Sequence, residues 1–360
     1  MKQTSKEFLY SYLNAFAPVA QENEGQKIWK DYVNPFVDEM HTDAYGTSYG
    51  VRYAVGSGYG KNTPKVVIEA HADEIAWIIT HIEEDGYIRV KRHGGSDNMI
   101  APSMTVVVHN DKGEKIPGVF GWPAIHTRKA AAEKGYEQEE LWVDVGASSK
   151  ERVMNDLHIN PGCLITFDDP LKEIGDYYVG RSLDNKIGGY IIAEATRRIF
   201  EEGIKLPFDF YVVNSVQEEV GLHGAKMIAK RLQADIALVH DVCHNTNHPK
   251  MNKAKDGDVK GGKGPALEYT AQNHRKIIQK FIDVAKVNDI PFQRHVGSYG
   301  NDTMAFFLEN TPTAIAATPL KYMHSTVEMA HKDDVNNCID LFVETLKSIT
   351  PEFINDVHNR

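Results

Sequence analysis

The feature of this chain that most restricts its fold is a change of texture that occurs once and then reverses. From Gly180 onward, segments with helical spacing of apolar residues alternate with short apolar strands. LDNKIGGYIIAEATRRIFEEG reads as a helix ending at Gly203, FDFYVVNSVQ as a strand and GAKMIAKRL as a helix. ADIALVHDV is a strand, HRKIIQKFIDVAKVNDI a longer helix, TAIAATP a strand and DDVNNCIDLFVETLKSI a closing helix. Such alternation predicts a largely parallel sheet with helices on both faces. The N-terminal part shares this texture. SKEFLYSYLNAF and QKIWKDYVNPFVDEM read as two helices, the second reaching Met40. The strand GVRYAVG, a loop rich in Gly, Lys and Asn, and the buried strand VVIEA follow.

Between these regions, from Ala76 to about Phe167, only short strands and turns are legible. AWIITHIEEDGYIRV and MTVVVHNDKGEKIPGVFG each place a turn between two strand-like arms, and LWVDVGA and CLITFDD add further strands. Segment Ala124–Lys134 reads as a loop or short helix. The simplest architecture is an α/β domain made of residues 1–75 and 168–360, with a mixed, mostly parallel sheet flanked by helices. A β-rich, barrel-like domain, residues 76–167, is inserted into it. A continuous two-domain chain is the plainer alternative. Insertion is favoured because the strand before the break and the helix after it both read as parts of one α/β layer.

Composition narrows the function classes. At 360 residues and 42% hydrophobic content, the chain can build a core without metals or disulfides to hold it. Forty basic residues against fifty acidic give a formal net charge of −10, which argues against general binding to a nucleic-acid backbone. Cys163, Cys243 and Cys338 are scattered and odd in number, a poor disulfide framework that fits a reducing compartment. No apolar run approaches the ~20 residues that span a bilayer. The first 21 residues lack a secretory apolar core. A soluble, cytoplasmic protein is expected, with no membrane partner.

Five short clusters each put a carboxylate or imidazole near the end of a strand or the start of a helix, where open α/β sheets bind ligands. The first is His71-Ala-Asp73-Glu74, after VVIEA. On extended backbone His71 and Asp73 point the same way, so Asp73 can hold one imidazole nitrogen and aim the other at a metal. The second is Ser182-Leu-Asp184-Asn185-Lys186. Asp184 is an acceptable N-cap, yet a carboxylate there can also bridge two cations. The third is Gln217-Glu218-Glu219, whose adjacent acids on extended backbone point to opposite faces and suit two different roles. The fourth is Asp241, with His240, His244 and His248 as competing ligands; His240 alternates to the other face. The fifth is Tyr322-Met-His324-Ser325-Thr326, after a strand broken by proline, with His331 as the rival imidazole. Taken singly, each also reads as an ordinary loop, cap or solvated turn.

Other motifs fail. In GSGYGKNT, Val55 and Asn62 occupy positions that a phosphate-binding loop gives to Gly and Ser/Thr, and Gly56, Gly58 and Gly60 miss the dinucleotide spacing. GGKGP at Gly261–Pro265 is too short for a phosphate site, and no GxSxG elbow is present. Two His, two Asp and one Glu form a nitrogen and oxygen donor set suited to zinc, cobalt or manganese. With one Asp shared, two ions ~3.5–4 Å apart would clamp an attacking hydroxide and the oxygen that gains charge. Glu218, left unligated, can take the water proton and pass it to a leaving amine.

In this order and spacing, His-x-Asp, Leu-Asp-Asn, Glu-Glu-Val-Gly, Asp and His-Ser resemble the glutamyl/deblocking aminopeptidases, dinuclear metallopeptidases that assemble into tetrahedral particles. Older descriptions called some of them endoglucanases. The resemblance spans nearly the whole chain and implies that the β-rich insertion is a dimerisation domain. It implies His71 and Asp241 on one metal, Glu219 and His324 on the other, and Asp184 bridging. Glu218 would be the general base and Asp73 the group that orients His71. It further implies two zinc or cobalt ions per chain, peptide substrates with a free N-terminus, and a homo-oligomer between a dimer and a tetrahedral dodecamer. The chain departs from the family pattern at His223 and Lys321, where Arg is usual, around His244–His248, and in the loop Asp43-Ala-Tyr-Gly46-Thr. These positions bear on substrate preference and assembly rather than on the ligands. Three other readings compete: a dinuclear amidohydrolase that deacylates small amides, a catalytically silent scaffold of the same fold, and a glycosidase using paired carboxylates. The last leaves both histidines and Asp184 without a task.

Overall fold

A computed structural model describes residues 2–54, 63–128, 137–297 and 300–359. The glycine-rich stretch Val55–Asn62, and the part of the 124–134 segment beyond Arg128, lie outside the described residues. Three strands lead in: β1 (Glu39–Thr42), β2 (Ser48–Arg52) and β3 (Lys65–His71). Six follow in the β-rich stretch: β4 (Ala76–Ile82), β5 (Ile88–His93), β6 (Thr105–His109), β7 (Lys115–Phe120), β8 (Trp142–Asp144) and β9 (Leu164–Phe167). The rest are β10 (Lys172–Ile174), β11 (Tyr177–Gly180), β12 (Asp209–Ser215), β13 (Ile236–Val239), β14 (Val242–His244), β15 (Ala266–Glu268), β16 (Gln293–His295), β17 (Thr313–Lys321) and β18 (Glu328–His331).

Among the described residues, twelve strands form one mixed sheet in the order β1-β2-β12-β3-β13-β17-β18-β11-β10, with β14, β15 and β16 attached beside β17. Its centre, β12-β3-β13-β17, is parallel. The helices are α1 (Gln3–Asn14), α2 (Asn23–Val33), α3 (Leu183–Glu201), α4 (His223–Leu232), α5 (Lys253–Asp256), α6 (Arg275–Val287), α7 (Thr303–Leu308), α8 (Lys332–Ser348) and α9 (Pro351–His358). None of the described helices is long and apolar enough to cross a membrane.

The central strands read as unbroken apolar runs because both faces are covered. In β3, Val66, Ile68 and Ala70 join the larger core with α1, α3, α6 and α8, while Val67 points into a second core with α4. The same alternation places Ile236 and Leu238 of β13 on one face and Ala237 and Val239 on the other. Two expectations fail locally, both at proline. The second helix was expected to reach Met40 but stops at Val33, because Pro35 removes a backbone donor and restricts the residue before it. A short 3-10 turn follows, and Glu39–Thr42 pairs as β1 with β2. By contrast, Pro319 does not break its strand: β17 runs through it to Lys321, changing partner from β13 to β14.

The β-rich stretch closes into an antiparallel six-stranded barrel, β4-β5-β8-β7-β6-β9, filled by Trp77, Ile79, Ile88, Val106, Val108, Phe120, Val143 and Ile165 among others. The anticipated turns are present, with Gly86 and Gly113 at positive φ between β4 and β5 and between β6 and β7. Ile125–Thr127 forms one 3-10 turn. Closure into a barrel leaves fewer free strand edges than an open sheet of the same strands. Tyr87, Met99, Trp122 and Ile125 are exposed there.

Candidate metal centre

The parallel register gathers the site at one edge of the sheet. His71 closes β3 and lies opposite Ser215, the last residue of β12, so Glu218 and Glu219 follow in the loop after the adjacent strand. Val239 of β13 lies opposite Glu69, which brings Asp241, two residues further on, level with His71. Asp241 occupies the break between β13 and β14. Asp184 is not the N-cap: Ser182 holds that position without a side-chain cap bond, and Asp184 has a non-helical backbone (φ −82°, ψ 108°). His324 sits in the turn between β17 and β18 at φ 62°.

All seven anticipated residues come together. His71 Nδ1 is 3.5 Å from Asp73 Oδ1. The other ring nitrogen, Nε2, is 3.4 Å from Asp184 Oδ1, 3.7 Å from Asp241 Oδ1 and 3.9 Å from Glu218 Oε2. His324 Nε2 is 3.3 Å from both Asp184 Oδ2 and Glu219 Oε1. Two donor groups result, His71–Asp184–Asp241 and Asp184–Glu219–His324, and Asp184 gives one oxygen to each. Donors ~2.0–2.1 Å from a tetrahedral ion stand roughly 3.3–3.4 Å apart, close to the separations observed.

The charge balance tests the fit independently. His71, Asp184, Glu218, Glu219, Asp241 and His324 line a single cavity of about 420 Å³, and no described residue of its lining is Lys or Arg. Burial raises the carboxyls of Glu218, Glu219 and Asp241. Burial opposes ionisation of Asp184 too, but the His324 and His71 imidazoles hold it below the usual carboxylate range. Burial alone would depress the imidazoles, yet the facing carboxylates hold His71 well above its ordinary value and His324 at about 11. Among the described residues, His71 and His324 are the imidazoles that these buried acids contact, an excess of acidic groups of the kind that cations can offset.

Carboxylates away from the cavity fix the ligand loops. Asp73 accepts the backbone N–H of Glu218 on one oxygen (3.0 Å) and that of Glu219 on the other (3.1 Å). The two glutamates therefore do not diverge as on an extended strand. Gln217 has φ 60°, the chain turns, and both side chains line the cavity. Glu328, which sequence reasoning missed, does the same on the opposite side, accepting from His324 N (2.7 Å) and Asp184 N (3.1 Å). Glu69 and Asp302, also missed, share the Ser215 hydroxyl beneath the site. No spacing signals them, because each is a lone acid whose neighbours are set by strand order.

The rival histidines are placed elsewhere. His240 is buried between Asn185 Oδ1 and Thr318 Oγ1. His248 bonds the Pro249 carbonyl and His331 caps α8, while His244 lines the far part of the cavity. His223 opens α4 against Gln217, and the Lys321 ammonium lies over the Tyr177 ring. Asp43 accepts the N–H groups of Tyr45 and Thr47. The barrel reaches the site through the loop after β5: Gly94 abuts Glu219, and Gly95 abuts the His324 ring.

The chain is similar to known aminopeptidases over most of its length. The profile of the M42 glutamyl aminopeptidase family matches residues 51–341. A lysyl aminopeptidase of Pyrococcus furiosus is 30% identical over 335 residues, covering 89% of this chain and 90% of that protein. An aminopeptidase structure from the archaeon Desulfurococcus kamchatkensis superposes with a TM-score of 0.91 at 30% identity, covering 99% of this chain and 98% of that one. The TET1 peptidase of Pyrococcus horikoshii, which can assemble into a tetrahedron or a large octahedral shell, gives 0.84 at 26% identity, covering 96% and 100%. With the match extending over most of its length, the chain belongs to the M42 glutamyl aminopeptidase family.

Proposed function

We propose that this protein is a metal-dependent aminopeptidase that removes the N-terminal residue from peptides at a pair of divalent cations, zinc or cobalt. The observation that carries the reading is the division of Asp184 between two donor groups, with one oxygen near each imidazole Nε2. His71 and Asp241 would hold one ion, Glu219 and His324 the other, and Asp184 both. Bound there, such ions supply Lewis acidity that polarises a carbonyl and lowers the pKa of water.

The remaining chemistry belongs to the protein. Glu218 lies beside the donors, and its carboxyl is raised by burial and by its neighbours Asp302, Asp241 and Glu219. That environment suits a general base that accepts the water proton and returns it to the departing amine. Asp73 is a positioning residue: it faces the far nitrogen of His71 and holds the Glu218–Glu219 turn by two backbone amides. We further assign residues 1–75 and 168–360 to the catalytic domain and residues 76–167 to an inserted domain that pairs copies through its outer surface, giving a homo-oligomer.

The decisive measurement is turnover of free and N-acetylated peptides by protein whose metal content is determined on the same sample. About two ions per chain, with release of free N-terminal residues only, is the expected result. Activity confined to blocked amides would make the protein a deacylase. Protein that binds neither zinc nor cobalt and cleaves nothing would be a silent scaffold. Glu218→Gln should keep its metal and lose at least ~100-fold in kcat; near-normal turnover would place the proton transfer on another group.

A further inference from the structure

The cavity that holds the donor groups extends past Asp241. There its wall consists of Val242, Cys243 and His244 of β14, Glu268 at the end of β15, His295 at the end of β16, and Met323. Glu268 is 3% exposed, and among the described residues its Oε2 has no hydrogen-bond partner. Its backbone is fixed, since β15 pairs with β16 and β17 and the Glu268 carbonyl accepts from Asn273 Nδ2 at 3.1 Å. The space it occupies is kept clear by Gly297, where a Cβ would run into the carboxyl group.

A buried carboxyl without a partner is costly unless something arrives to meet it. The cavity's described lining holds no Lys or Arg, and the imidazoles held charged there, His71 and His324, are engaged by Asp184, Glu219 and Asp241. His295 is held below its ordinary value by burial and by His244, so it does not serve as a resident cation at neutral pH. Burial and the charge of Asp241 push the Glu268 carboxyl up to about 8. The acids at the metal end face the two imidazoles and, on the reading above, two cations; Glu268 stands apart from that group. Cys243 and Met323 add apolar wall to the same cavity, along which a hydrocarbon stem can lie while its charged head reaches a carboxylate.

We propose that Glu268 receives the ammonium or guanidinium group of the substrate's N-terminal residue, so that the enzyme selects peptides beginning with lysine or arginine. The proposal rests on the aminopeptidase reading and names the residue class taken by that same site. The charge-assisted bond would form where a neutral side chain leaves the carboxyl unpaired, and discrimination of this kind is large.

The test compares lysyl and norleucyl 4-nitroanilides, which share a linear stem and differ in the terminal charge, with glutamyl and arginyl substrates alongside. The metal-loaded wild type should favour lysine over norleucine by at least ~10-fold in kcat/KM. Glu268→Gln should reduce that ratio to within about threefold, chiefly by lowering the lysine value while norleucine stays near wild type. A wild type that prefers norleucine or glutamate overturns the assignment without any variant. Equal losses on lysine and norleucine in Glu268→Gln also overturn it, since they mark a structural role. If the metal-loaded wild type cleaves no aminoacyl substrate, the aminopeptidase reading itself fails and the specificity falls with it. Cleavage without a basic preference leaves that reading intact and removes only the role of Glu268.

Discussion

Replacing Gly95 by alanine should remove one half of the proposed metal centre while leaving the fold in place. Gly95 has no positive φ, so the backbone accepts alanine. The obstacle is the His324 ring: an added Cβ would lie 2.5 Å from Cε1 and closer still to Nδ1, whereas ordinary contacts begin near 3.4 Å. The imidazole must retreat by about 1 Å, several times the ~0.2 Å tolerance of a metal–ligand bond. Its main chain cannot follow easily, because His324 N is anchored on Glu328. The side chain is 34% exposed and can swing outward, which keeps the cost to folding small. Displacement on this scale costs on the order of 100-fold in rate. Metal per chain at limiting supply should fall from about two to about one, and kcat/KM should fall by roughly 100-fold. Thermal unfolding of the metal-free protein should match wild type. A variant with full metal content and wild-type turnover would refute the claim that the rim of the barrel sets the position of His324.

Asp73→Asn removes one acceptor from the pair of backbone amides that hold Glu218 and Glu219, leaving a buried donor facing an amide donor at a cost of ~1–3 kcal/mol. Metal affinity should drop ~10–100-fold, and an unchanged metal titration would show that the orienting role is misplaced. In the barrel, burial and the charges of Lys115 and Arg181 hold His109 at about 3, and its ring stacks on Phe16 outside the barrel. The unfolded chain takes up a proton near pH 6.5 while the folded one resists until about 3, so stability is full above pH 6.5 and falls as the pH drops between these values. Metal-free wild type should therefore lose more in Tm between pH 7.5 and 5 than His109→Gln does; parallel curves would exclude this contribution.

The parts legible in the sequence were those governed by local physics. β-Branched runs such as VVIEA became buried central strands, and the Glu-Asp-Gly and Asn-Asp-Lys-Gly turns joined barrel strands. The five clusters were legible because a parallel sheet brings strand ends to one edge regardless of how far apart they lie in sequence. Tertiary context decided the rest. Pro319 is tolerated because a change of partner in β17 occurs there, and β14, β15, β16 and β18 are too short to stand out without their neighbours. The divergence expected for Glu218 and Glu219 failed because one left-handed residue, Gln217, ended the strand before alternation applied. Glu328 and Glu268 carry no motif, and only the strand order reveals what each faces.

Asp73 and Glu328 make the same device twice. Each lies buried, and each holds the backbone amides of two residues that point into the cavity. The scaffold around the donors is thereby tied by hydrogen bonds that need no ion. If the proposed ions bind here, their loading and loss would be ion exchange in a standing frame, in contrast to small metal-nucleated domains where ion loss and unfolding are one event. On the proposed reading, metal stripped from the protein and later restored would restore activity without refolding.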